Sequence, residues 1–243
     1  MILNEIPVLS FHPVALERTF VVADILAERY DEPFVEYGIL GLGQQSNPFH
    51  VLETPILPGQ RASVNFVFQP GRQVLHTRRE IELLSKRRKH PLVPIALVHR
   101  HPGACGMSSI DVDFFVNVFV NHIATAVLLR EPYVPGGEDF GCGCGTSRTR
   151  KQQTGGSAPE VTIDYAVAFS LIVNRSREYS IDAVRKSWCP FCAKPQVRLL
   201  PAELRVQPVR TLSESERRRI RSTLDVEIEA KIEFDKAPAE GVL

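Results

Sequence analysis

His99 and His101 flank one arginine at the end of a short apolar run, Val93 to Val98, bounded by Pro and Gly. Such a run predicts a buried strand. Alternate residues of a strand point to the same side, so both imidazoles can converge on one ion. Ten residues on, Asp111 falls in the first turn of a helix that Ser108-Ser-Ile-Asp111 would cap. Two imidazoles and a carboxylate form a three-ligand set that leaves a fourth zinc position for water. Such an ion needs a neighbouring base to move protons. Glu36 offers one, on an earlier predicted strand, Val-Glu-Tyr-Gly-Ile-Leu-Gly, whose small residues admit a close neighbour.

A second donor set is all sulfur. Cys142-Gly-Cys144 and Cys189-Pro-Phe-Cys192 are two close pairs on tight turns, able to form a closed tetrahedral Cys₄ zinc site of structural type. Such a site would tie a glycine-rich segment to the end of a strand and contribute its binding energy to folding there. A redox Cys-x-x-Cys is the rival, but nothing nearby resembles the helix N-terminus that activates such a thiol. The fifth cysteine, Cys105, stands alone in the loop before Ser108, a small packing residue near the mouth of the site.

The elements that must position these groups alternate between helical and strand patterns. A helix is expected over Pro13 to Arg29, with the stripe Leu16, Phe20, Ala23 and Ala27. A strand over Phe34 to Leu42 follows, then a loop through Asn47-Pro48 and Pro58-Gly59, then a strand over Ala62 to Phe68. The helix expected over Thr77 to Lys89 ends in Lys86-Arg87-Arg88-Lys89. That run suits either an acidic partner or a solvated face at a helix C-terminus. Phe114, Phe115, Val118, Phe119 and His122 form the buried face of the helix begun at Ser108, and Ala124 to Leu129 reads as a strand.

Glu131 to Glu160 is glycine-rich and reads as an irregular insertion. Strands over Ile163 to Val173 and Tyr179 to Trp188 lead into Cys189. Past Pro201, Ser213-x-x-Glu216 predicts a capping box. Leu224 to Phe234 alternates apolar with charged and predicts an edge strand, although Ile220, Leu224, Ile228 and Ile232 also suit a longer helix. His50, His76, His90 and His122 lack convergence on any site.

Composition narrows the function classes. The 243 residues are 44 % hydrophobic and 23 % charged, which excludes a wholly disordered or fibrous chain. Lys+Arg 29 against Asp+Glu 28 leaves a net charge of +1, so no global field recruits nucleic acid or an acidic membrane. The longest apolar runs are too short for a bilayer, and Met1 to Glu5 lacks the basic start of a signal peptide. With an odd number of cysteines, the expectation is a reducing cytoplasm.

Taken together, Glu36-x-Gly-Ile-Leu-Gly, His99-x-His101-Pro-Gly and Ser108-Ser-Ile-Asp111 resemble the JAMM signature of MPN-domain metalloproteases. The motifs span residues 36 to 111, and the order of elements agrees over about 14 to 130. The resemblance implies an α/β MPN fold, a mixed sheet flanked by helices. The domain would cover 1–200, with the cysteine-rich insertion at about 131–160 and a C-terminal extension over 201–243. It implies a catalytic zinc on His99, His101 and Asp111, Glu36 as the proton carrier and Ser108 as an oxyanion donor. The loop between His101 and Ser108 holds six residues where the family usually has seven, which places the deletion just after Gly103.

Members of the family cleave peptide or isopeptide bonds after ubiquitin-like proteins, whose small-residue tails could be accepted as an added strand beside Glu36. The implied partners are a ubiquitin-like protein or its conjugate and E1- and E2-like proteins of one pathway, as in bacterial ubiquitin-like operons, with no nucleic acid and no membrane. A non-catalytic MPN scaffold and a zinc hydrolase processing a sulfur-carrier-like precursor are the alternatives.

Overall fold

The computed structural model describes residues 6–30, 37–57, 60–62, 72–101, 106–123, 128–134, 140–144, 161–174, 176–206 and 212–234. Strand β5, Leu92–Arg100, is buried along its whole length, as its unbroken apolar run requires of a strand covered on both faces. It lies between β2 (Gly38–Gln44), antiparallel to it, and β7 (Thr162–Val173), parallel to it. The mixed sheet runs β10 (Glu203–Val206), β1 (Val8–Phe11), β3 (Asn47–Glu53), β2, β5, β7, β8 (Tyr179–Trp188) and β9 (Pro195–Pro201). A further strand, β6 (Leu129–Pro132), pairs with the start of β7. Only Ala202 separates β9 from β10, yet these strands sit at opposite ends of the order, so the sheet curls until it nearly closes. A second small sheet joins β4 (Gln60–Ala62) to β11 (Ile232–Phe234).

Helices cover both faces of the large sheet. On one face, α1 (Pro13–Tyr30) and α4 (Glu214–Lys231) pack Leu16, Ile25, Ile220, Leu224 and Ile228 against Ile95 and Val98. On the other, α2 (Arg72–Arg88) and a π-helix (Phe115–Ile123) that continues α3 (Ser109–Phe114) pack over Leu40, Leu97, Ala168 and Val184. Phe115 and Phe119 are buried there, stacked at 5.5 Å. The side chains of Phe114, Val118 and His122 lie outside the described residues. β2 and β5 can approach because Gly41 has no side chain: a Cβ there would stand 2.8 Å from that of Ala96. None of the described helices is long and apolar enough to cross a membrane.

Several elements differ from their expected bounds. α2 begins at Arg72 because Val74 is buried and extends the apolar face by one turn. The strand expected over Ala124 to Leu129 is described only as β6, Leu129–Pro132. Glu131 therefore belongs to the sheet and not to the insertion. It is buried, and Arg185 of β8 donates to it at 2.5 and 3.4 Å. Leu224 to Lys231 is helical, not an edge strand, since Ile220, Leu224 and Ile228 need one buried face. Only Ile232–Phe234 is extended. β1, β3, β9 and β10 were not expected. The starts of the strands expected at Phe34 and most of Ala62 to Phe68 fall outside the described residues.

Candidate metal centres

β5 delivers His99 to the face under α3. Its neighbours are Gly38 across β2 and Ile172 across β7, and His101 continues the strand by donating its N–H to the Val173 carbonyl at 2.9 Å. The two rings sit edge to face at 4.6 Å. Arg100, between them, is directed away and fully buried, and its N–H meets the Tyr37 carbonyl at 3.2 Å. Tyr37 is fully buried as well. Its hydroxyl donates to the Thr19 carbonyl at 3.3 Å, and burial pushes its ionisation upward. The strand end that carries the imidazoles is thus fixed from both sides.

Asp111 arrives by a different device. Ser108 is the N-cap of α3: its hydroxyl accepts the Asp111 N–H at 3.2 Å, and the Asp111 carboxylate accepts the Ser108 N–H at 2.7 Å. This reciprocal box fixes the carboxylate without using all its lone pairs. One oxygen lies 3.1 Å from His101 Nε2 and the other 3.6 Å from His99 Nδ1. Burial pushes the Asp111 carboxyl upward, but hydrogen bonds from His101 and Ser108 and the charge of His99 outweigh it. The net result lies well below the usual carboxylate range, so the group is ionised at neutral pH, as a ligand must be.

Each of His99, His101 and Asp111 offers a ligand atom, and these atoms lie within 4.8 Å of one another. The fit to a metal rests on this donor set: a buried and a half-buried imidazole and a half-buried, ionised carboxylate, converging from two elements. Ser108 stands exposed at the same mouth. Glu36 and Cys105, the remaining residues expected around this centre, lie outside the described residues, as does the whole of 102–105.

The four paired cysteines also converge, with sulfurs within 4.8 Å of one another and Cys142 to Cys189 at 3.5 Å. Two turns make this possible. Gly141 and Gly143, at φ +56° and +65°, wrap the chain around Cys142, a backbone region that glycine enters without cost. After Cys189-Pro-Phe-Cys192, Ala193 adopts φ 59° and donates to the Cys189 carbonyl at 2.9 Å. Cys189 in turn donates to the Lys194 carbonyl at 2.9 Å, and the Lys194 ammonium reaches the Gly141 carbonyl at 2.9 Å, joining the two turns.

The sulfur chemistry favours a cation. The backbone N–H of Cys144 brings the Cys142 thiol down to about 7. The neighbouring sulfurs of Cys192 and Cys142 push Cys144 up to about 12. Burial pushes Cys189 up, while the N–H groups of Phe191 and Cys192 aim at its sulfur and oppose that. Four thiols this close cannot all ionise alone, and a divalent cation removes the conflict. Behind them, Phe140, Ile163, Tyr133 and Phe191 form a small apolar cluster.

Both donor sets were legible from spacing. A groove beside α4, formed with the end of α2, was not. Only the Lys86–Lys89 run signalled it, through Arg87 and Arg88, and Arg219 on its other wall follows a capping box where no site was expected. Compared with known proteins, the chain matches no family model and no curated protein.

Proposed function

We propose that this protein is a zinc-dependent metallopeptidase of JAMM type on an MPN fold. Its reaction is hydrolysis of the peptide or isopeptide bond after the C-terminus of a ubiquitin-like protein. One observation carries the reading: His99 and His101 on a rigid central strand and Asp111 on a capped helix bring their ligand atoms within 4.8 Å of one another. These three residues would hold the catalytic zinc, and the four cysteines a structural one. A zinc ion in such a three-ligand site lowers the pKa of a bound water from about 16 to roughly 7 and polarises a carbonyl.

The chain's own groups divide the remaining work. Glu36, one residue before the buried Tyr37, takes the proton of the attacking water and returns it to the departing amine. The exposed Ser108 hydroxyl already accepts the Asp111 N–H and has one hydrogen to give, which it turns toward the developing oxyanion. The capping box keeps Asp111 from following the substrate.

The test compares wild type with Glu36→Gln on a panel of ubiquitin-like fusions, with metal content measured for both. Wild type should cleave at least one fusion, and the variant should lose about 10²-fold or more in rate with its metal unchanged. Equal cleavage by both, or cleavage by neither, overturns the peptidase reading.

A further inference from the structure

α3 and the π-helix cover their face of the sheet unevenly. The helix starts over the end of β5, where Asp111 meets His99. It ends over the far part of β8, where Lys186 donates to Asn121 at 2.6 Å. The corner between the start of β8 and the end of β9 stays open. Side-chain alternation from Val184, which is buried under the π-helix, puts Asp182 on this face. Leu199 and Pro201 of β9, opposite Val184 and Asp182, stand on it as well. Pro201 is exposed and Leu199 is 50 % exposed, so an apolar shelf borders the carboxylate.

This corner adjoins the histidine centre. His99, Ile172 and Ser180 form one row across β5, β7 and β8, and Asp182 is the next residue on the same side of β8. Two strand spacings and one two-residue step put Asp182 about 12 Å from His99, the reach of three or four extended residues. β2 lies on the other side of β5, with Glu36 two residues before it in sequence. An acyl segment entering beside Glu36 therefore leaves the β8 side to the departing amine.

Asp182 is half-buried and has no hydrogen bond or ion pair among the described residues. Burial alone pushes its carboxyl upward, with no cation near enough to oppose it. Glu203, exposed two residues beyond Pro201, is unpaired among the described residues as well. The cations of this face are placed elsewhere. Lys186, four residues from Asp182, is held by Asn121 over the Trp188 ring. Arg205, four residues beyond Pro201, is paired with neither carboxylate. A partly desolvated carboxylate beside an apolar shelf suits a guanidinium or ammonium whose aliphatic stem lies on that shelf.

We infer that Asp182 is a specificity-determining residue for the departing side of the substrate, where it receives an arginine or lysine three or four positions beyond the bond cleaved. The stem of that side chain lies on Pro201 and Leu199. What happens at the metal rests on the peptidase reading, but the subsite itself is measured by binding.

The probes are pentapeptides capped at the N-terminus by a zinc-chelating succinyl hydroxamate and labelled at the C-terminus with fluorescein. Each carries one arginine among glycines, moved from the first position to the fifth, and is titrated against the zinc-loaded full chain. Wild type should bind tightest with arginine third or fourth, about tenfold tighter than with glutamine there, and high salt should remove the gain. Asp182→Asn should abolish the gain and bind the glutamine peptide like wild type. Asp182→Arg should prefer glutamate at the same position, which also shows that the variant is folded. Glu82→Gln removes an exposed carboxylate of α2 and should bind like wild type. No binding by wild type, no dependence on arginine position, or equal loss in Asp182→Asn and Glu82→Gln overturns the subsite. The arginine preference without cleavage of any ubiquitin-like fusion overturns the peptidase reading alone. Cleavage without the preference overturns the subsite alone.

Discussion

His99, His101 and Asp111 are held by the most deeply buried strand and a capped helix, while the four cysteines are held by two turns at the margin of the sheet. The first set is assembled by elements that the hydrophobic core already fixes. β5 would be where it is whatever its last residues were, and the capping box orients Asp111 through bonds internal to α3. The second set is assembled by residues with little else to order them, and its turns need glycine or a left-handed alanine to bring the sulfurs round. A centre that a fold supplies can leave a coordination position open for chemistry. A centre that must supply the fold closes its shell.

This contrast predicts unequal consequences when each is broken. Cys189→Ser/Cys192→Ser should have the largest effect, of order 5 kcal/mol, part of the roughly 10–16 kcal/mol such ions give small metal-dependent folds. Denaturant melts together with elemental analysis check this, with metal falling from two ions to one. Unchanged stability would erase the contrast.

Arg185→Ala comes next. It leaves Glu131 buried without its guanidinium, which costs about 3–5 kcal/mol. Because Glu131 and Arg185 join β6 to β8, next to the cysteine turns, the variant should release the sulfur-bound ion to a chelator sooner than the histidine-bound one. Asp111→Asn should do the opposite. On the proposed reading it should abolish metal binding at the histidine site and the peptidase activity, yet metal-free stability should fall by about 1 kcal/mol or less, since the side chain can still serve the cap. A large fall would mean that the open centre is structural after all.

The smallest effect is a reactivity. In chelator-treated protein Cys142 should be alkylated with a half-maximal rate near pH 7, because its thiol is lowered to about 7. Cys144, pushed up to about 12, stays protonated and slow. Mass mapping after a brief iodoacetamide pulse separates the two, and equal labelling would remove the thiolate asymmetry.

What the chain reveals in advance follows the range of the interactions involved. The histidines, Asp111 and the cysteine pairs are recognisable because strand alternation, a capping box and tight turns are each settled within a few residues. Strands β1, β3, β9 and β10 were not, since their patterns are short and their strand character comes from partners far along the sequence. Asn47-Pro48 reads as a loop until β2 is laid beside it, where Gly43 meets Pro48 so closely that a Cβ would stand 2.3 Å from its carbonyl oxygen. Leu224 to Phe234 satisfied two periods at once, and only the face of α1 decided between them. The groove between α2 and α4 is invisible for a related reason, because its walls, with Arg87 and Arg88 on one and Arg219 and Thr223 on the other, meet only in the folded chain.

The one-residue step at Ala202 has a consequence for how the molecule is made. β1 is made before the other described strands, but its partner β10 follows β9 near the other end of the described sheet. Until then β1 has only the short pairing with β3 at Ser10 and Phe11, and it shows an unpaired backbone edge to other nascent chains. Closing the sheet is therefore a late, long-range event and should set the slow phase of refolding. Chains stopped before Glu203 should aggregate rather than fold.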